Sequence, residues 1–142
     1  MKKQHQQLAL VALLVLATAA WRVVNTELHL YHLVPMAALG LFSGSVLQNK
    51  KWAYLIPLSA MLLSDLGLTL FTSMQGFYGL SQVVNYLALA MVTLLGTKLV
   101  HRKALNIAGY TIGGSLLFFL VSNFGTFLSG FYGYSFSSLM EC

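Results

Sequence analysis

Long apolar runs separated by short polar breaks define this chain. The runs cover roughly Leu8 to Val24, Val34 to Leu47, Trp52 to Phe71, Ser81 to Leu99 and Ala104 to Phe124. Apolar stretches of this length predict membrane-spanning helices, five in number. The second run, about 14 residues long, is short for a hydrocarbon core of ~30 Å. It either borrows part of the preceding loop or lies in a thinned or protein-covered region. Pro35 falls in its first turn, where the missing N–H costs nothing. The breaks predict outer loops at Asn25 to Leu33 and at Thr72 to Leu80, and a tight turn at Gln48-Asn49-Lys50-Lys51.

The polar breaks differ in charge. Lys2 and Lys3 precede the first run, Lys50 and Lys51 separate the second from the third, and Lys98, Arg102 and Lys103 separate the fourth from the fifth. Of the eight Lys and Arg residues only Arg22 departs from this alternation. The positive-inside rule then predicts a cytoplasmic amino terminus, five crossings and a carboxyl terminus on the outside. In a bacterium this is the inner membrane, with the carboxyl terminus in the periplasm. Lys2-Lys3, Leu8 to Leu16 and Ala17-Thr18-Ala19 also follow the layout of a secretory signal. We read the segment as a retained first helix.

Composition narrows the function classes. The chain has 142 residues, 58% hydrophobic and 8% charged. A soluble domain carries roughly 25% charged residues, so the expected fold is an all-α polytopic helical bundle, with residues 1–142 forming one transmembrane domain. The net charge of +5 resides in short turns facing lipid headgroups, and no aromatic-interleaved basic patch points to nucleic acid. The expected surroundings are the lipid bilayer and other membrane subunits. The single Cys, Cys142, is terminal and supports neither a disulfide framework nor a Cys-based metal site. The tail Gly125 to Cys142 is aromatic and broken by Gly130 and Gly133. It reads as an outer lid, an interfacial segment or the approach to a sixth helix.

Two patterns suggest close helix packing. Gly40 and Gly44 in the second run, and Gly109 and Gly113 in the fifth, are small-xxx-small pairs that let backbones approach in lipid. They serve internal packing or dock a partner protein. Span one is rich in alanine and suits either purpose.

Asp65 is the most informative residue. It is the only acid within a predicted span, and a carboxylate there costs about 2.5–3.5 kcal/mol on insertion scales. At ~1.5 Å per residue it lies roughly 20 Å beyond Trp52, in the outer half. Gln82, Asn85 and Tyr86 of span four, Ser122 and Asn123 of span five, and Ser64 beside Asp65 reach similar depth. His29, Tyr31 and His32 are placed to fold over as a lid. The inner halves of these spans are almost wholly apolar. Such an asymmetry predicts a binding pocket open outward and closed inward. The alternative is that Asp65 hydrogen-bonds Asn85 or Asn123 and pins the bundle. Glu27, His29 and His32 lack a recognised metal spacing, so no metal and no cofactor are expected. No Walker motif, Ser/His/Asp set or Cys/His set is present, and no enzymatic role is expected.

Three stretches carry a resemblance: Val34-Pro35-Met36-Ala37-Ala38-Leu39-Gly40-Leu41-Phe42-Ser43-Gly44 before Lys50-Lys51-Trp52, Pro57-Leu58-Ser59-Ala60-Met61-Leu62-Leu63-Ser64-Asp65, and Leu117-Phe118-Phe119-Leu120-Val121-Ser122-Asn123-Phe124-Gly125. Over residues 8 to 142 the chain resembles an uncharacterised family of small bacterial integral membrane proteins, common in Bacteroidetes-type genomes. Their layout resembles that of the substrate-binding S-components of energy-coupling-factor vitamin transporters. The resemblance implies a bundle that captures a small vitamin-like solute near its outer face, with a separate membrane scaffold and two ATPases driving transport. It implies Asp65 and Asn123 as pocket residues. The resembled family continues into a sixth helix, and S-components often dock through an Ala-xxx-Ala pair that span one lacks. The other functional reading is a non-catalytic accessory subunit of a larger membrane complex.

Overall fold

A computed structural model describes residues 2–28, 35–100 and 103–141. All regular structure among them is helical: α1 (Lys2–Glu27), α2 (Met36–Val46), α3 (Lys50–Phe71), α4 (Leu80–Thr97), α5 (Ala104–Leu128) and α6 (Phe136–Glu141). Four helices are long and apolar enough to cross a membrane, namely α1 from Ala9, α3, α4 and α5. The expected second span is α2, whose 11 residues extend only about 16 Å, half a hydrocarbon core. The five expected crossings are therefore four full-length helices and one short one. In the aromatic tail, α5 runs to Leu128, four residues beyond the expected end. Gly130 and Gly133 then take positive φ (70° and 93°) in the turn that leads to the six-residue α6.

The packing order explains how α2 is accommodated. α2 is seated on α4 and α3, with a smaller contact to α5, while α1 packs on α3 and α5 on α4. The short helix is thus covered by protein, where irregular backbone at its ends is tolerated. The core combines Val15 of α1, Met36 and Leu39 of α2, Ile56, Ala60 and Met61 of α3, and Leu89 of α4. On α3 the buried residues Ala53, Ile56, Pro57, Ala60, Met61, Ser64, Asp65 and Leu68 recur every three or four positions. One continuous face therefore points inward, as the helical period requires.

Glycines set the α2–α4 spacing. A Cβ at Gly44 would overlap the Thr93 carbonyl, and one at Gly96 would overlap the Leu41 carbonyl. A Cβ at Gly40 would meet the Leu89 and Thr93 side chains at 3.1 Å. Gly109 and Gly113 differ from the expectation of internal packing. A Cβ at either would meet nothing within 4 Å, because α5 faces its neighbours through Gly114 and Gly125 instead.

Pro57 lies inside α3 and cannot donate to the carbonyl of Ala53, four residues earlier. The Ser43 hydroxyl of α2 takes that role, donating to the Ala53 carbonyl at 2.8 Å. A carbonyl left bare in an apolar interior costs more than the hydrogen bond is worth. We therefore expect Ser43→Ala to destabilise the bundle by about 1 kcal/mol. Pro57→Ala in the Ser43→Ala background should recover most of that loss, because the new N–H reaches Ala53. Unfolding of the purified single and double variants in mixed micelles measures both values, and additive losses would refute the assignment.

Candidate functional site

The polar groups of α1, α3 and α4 converge on one carboxylate. Asp65 lies on the buried face of α3 and has no exposed surface. Arg22 lies on the α1 face that also carries Val15, Thr18 and Asn25, all buried, at helical spacing. That face packs on α3, which brings the Arg22 guanidinium to the carboxylate.

Arg22 Nη1 donates to Asp65 Oδ1 and to Ser64 Oγ, the latter at 2.6 Å. The second carboxylate oxygen, Oδ2, accepts from Gln82 Nε2 at 2.8 Å and from the Tyr86 hydroxyl at 2.9 Å. The Ser64 hydroxyl in turn donates to the Met61 carbonyl at 2.7 Å. A buried carboxylate is tolerable only when paired and hydrogen-bonded, and Asp65 is both. The Arg22 side chain keeps 14% of its surface exposed.

The α3–α4 loop completes the enclosure. Gly76 rests against the Asp65 backbone so closely that any Cβ would overlap the Asp65 carbonyl oxygen. Its N–H donates to Thr69 Oγ1 at 3.2 Å, and Thr69 Oγ1 donates to the Asp65 carbonyl at 3.0 Å. Gln82 Nε2 also reaches the Gly76 carbonyl at 3.3 Å. Gln82 thus ties the loop to the carboxylate. One turn along α4, Asn85 donates to the Tyr78 hydroxyl at 2.9 Å, while its Oδ1 is buried without a partner.

The sequence-selected residues separate into two groups. Asp65, Ser64, Gln82 and Tyr86 meet in one network, and Asn85 stands beside it on Tyr78. Ser122 and Asn123 do not join: Ser122 bonds the Phe119 carbonyl of its own helix, and Asn123 takes none of the bonds to Asp65. Neither Asn85 nor Asn123 is the partner of Asp65, which corrects the expected pinning contacts. His29, Tyr31 and His32 lie outside the described residues, and the segment seen over Asp65 is the Gly76 loop. An open pocket at Asp65 is likewise not what the geometry gives, since both carboxylate oxygens are occupied. A cleft of about 500 Å³ instead lies between α1 and α2 toward the basic turns.

Arg22 is the residue that sequence reasoning missed. It stood out as an exception to the charge alternation, and its depth near the end of span one matches that of Asp65 in span three. Opposite charges at equal depth in neighbouring spans are the signal. Among the described residues no group of three or more His, Cys, Asp or Glu side chains could hold a metal.

Removing one partner of a buried pair strands the other charge. Asp65→Ala should cost about 3–5 kcal/mol, whereas Arg22→Met with Asp65→Leu should recover most of the loss. Comparison of unfolding free energies for the single and double variants checks this. A loss in the double variant equal to the sum of the two single losses would mean that the two charges are not coupled.

No curated protein and no solved structure matches the chain. Residues 2–142 match a family of unknown function, DUF6580, and the chain belongs to that family.

Proposed function

We propose that the chain is a solute-binding membrane subunit, of the kind that S-components provide to energy-coupling-factor transporters. The observation that carries this reading is the ion pair of Arg22 and Asp65, with Gln82 and Tyr86 hydrogen-bonded to the carboxylate, within an otherwise apolar bundle. Ionisable groups inside membrane helices are costly and mark functional sites by default. Asn85 adds a buried acceptor with no internal partner, which a solute N–H or O–H could satisfy. The solute class that suits these groups is a small, ring-bearing polar molecule. Its ring would lie on Tyr86 and Tyr78, and its polar edge would exchange hydrogen bonds with Gln82 and Asn85.

The Asp65 carboxylate is sealed in the present arrangement, so capture requires the Gly76 loop to lift. Gln82 is the latch, since its amide holds both the loop carbonyl and the carboxylate. The proposed orientation follows the basic turns: the site faces the outside of a bacterial inner membrane, and Lys50, Lys51, Lys98 and Lys103 face the cytoplasm.

A second reading is favoured by α5. Of its 25 residues only Gly114 and Gly125 are buried, and the Gly109/Gly113 face is open. A non-catalytic accessory subunit would use such a face to pack against a larger complex.

Affinity purification of the full chain from its native membrane, followed by mass spectrometry of co-eluting proteins and small molecules, separates the two. We expect two ATPases, a helical scaffold subunit and a retained small molecule that Gln82→Ala and Asn85→Ala reduce at least tenfold. Stoichiometric recovery of an unrelated complex, disrupted by Gly113→Leu and indifferent to Gln82→Ala, would replace the solute-binding reading with the accessory one.

A further inference from the structure

Two adjoining clefts at the basic end of the bundle have no part in the Asp65 cluster. The first, about 500 Å³, opens sideways between α1 and α2. Leu10, Val11 and Leu14 form one wall, Leu39 and Phe42 the other, and Ile56 of α3 the floor. It exists because α1 is held to the bundle through α3 and barely touches α2. Leu10 and Phe42 are half exposed at its rim. The second cleft, about 280 Å³, lies toward the turn between α2 and α3 and is lined in part by Gly44, Lys50, Thr97 and Leu99. The two share Val46, Leu47 and Gln48, so an apolar slot and a more polar cleft that carries a lysine adjoin at the end of α2.

We infer that these clefts form a binding site for one anionic phospholipid, with an acyl chain between α1 and α2 and the headgroup phosphate at Lys50. The volume and lining select this occupant. An α-helix about 10 Å across occupies roughly 400 Å³ per turn, so the slot admits no more than about one turn of a partner helix. Of the two polar residues that line the slot, Ser43 has its hydroxyl turned to the Gly40 and Ala53 carbonyls and Gln48 lies at the end shared with the second cleft, so water finds few partners along Leu10, Val11, Leu14, Leu39 and Ile56. A hydrocarbon chain fits, and bilayer lipid supplies it directly at the sideways opening.

The second cleft supplies the charge preference. Lys50 lines it, Lys51 follows in the first turn of α3, and both are exposed, as is the neighbouring Trp52. Asn49 caps this helix by accepting from the Lys51 N–H at 3.0 Å, so the turn that presents the lysines is fixed. The N-terminal end of α3 adds its own positive dipole end toward a phosphate. No Asp or Glu lies among the residues lining either cleft. Basic side chains beside an acyl slot favour phosphatidylglycerol over a zwitterionic lipid.

Native mass spectrometry of the full chain in mild detergent, titrated with phosphatidylglycerol or phosphatidylcholine, tests the site. We expect one tightly retained phosphatidylglycerol and roughly tenfold weaker retention of phosphatidylcholine. Lys50→Gln with Lys51→Gln, both at exposed positions, should bring phosphatidylglycerol down to the phosphatidylcholine level. Leu10→Phe with Val11→Phe should fill the slot and reduce retention of both lipids. Equal retention of the two lipids by the unaltered protein, or unchanged retention in a slot-filled variant that unfolds at the same point as the parent, would overturn the inference. Neither result bears on solute binding at Asp65, which lies elsewhere on α3.

Discussion

The Arg22–Asp65 ion pair is the constraint around which the rest of the bundle is arranged. A carboxylate with no exposed surface in an apolar medium must have its charge met and its lone pairs filled. The partners that do so come from two other helices: the guanidinium from α1, and the amide and phenol from α4. The pair therefore decides which faces of these helices turn inward. It also accounts for the seating of α1, which contacts α3 extensively and α2 hardly at all. Small residues then perform the complementary task where no charge is available. Gly44 and Gly96 each lie against a carbonyl of the opposing helix, and this close approach fixes α2 on α4.

Satisfaction of backbone groups sets a second rule. In lipid every carbonyl must find a donor within the protein. Pro57 breaks the α3 ladder at Ala53, and Ser43 repairs it from a neighbouring helix. The same hydroxyl lies 3.0 Å from the Gly40 carbonyl of its own helix. A proline that would otherwise weaken α3 thus becomes the point at which α2 is joined to it. The short α2 consequently has polar as well as apolar attachments to the bundle.

Much of this was legible in the sequence, and the limits have physical reasons. Run lengths pointed to five apolar helices, of which four are long enough to cross a membrane and the second is short, and the expense of an intramembrane acid singled out Asp65. Gln82 and Tyr86 were found because they sit at the depth of Asp65 on an adjacent span. Asn123 satisfies the same depth argument and fails, because α5 contacts α4 and α2 rather than α3. Depth is a one-dimensional quantity, and lateral neighbourhood is not written in it. The two glycine pairs illustrate the same limit: Gly40/Gly44 and Gly109/Gly113 share a spacing, yet only the first faces another helix. The fold-back of Gly76 onto Asp65 is a tertiary contact between a loop and the helix before it, and an uncharged loop gives little warning of it.

The order in which the chain is made gives the ion pair a history. Arg22 is synthesised 43 residues ahead of Asp65. At about 5–20 residues per second the cation waits a few seconds for its counter-ion. An arginine at this depth can meanwhile extend its long side chain to the headgroup region, whereas the short side chain of an aspartate at the same depth has no comparable reach. Biosynthesis thus places the adaptable partner first. α1 would hold Arg22 at the interface until α3 enters, and the arrival of Asp65 would then draw the guanidinium inward and lodge the first helix against the third.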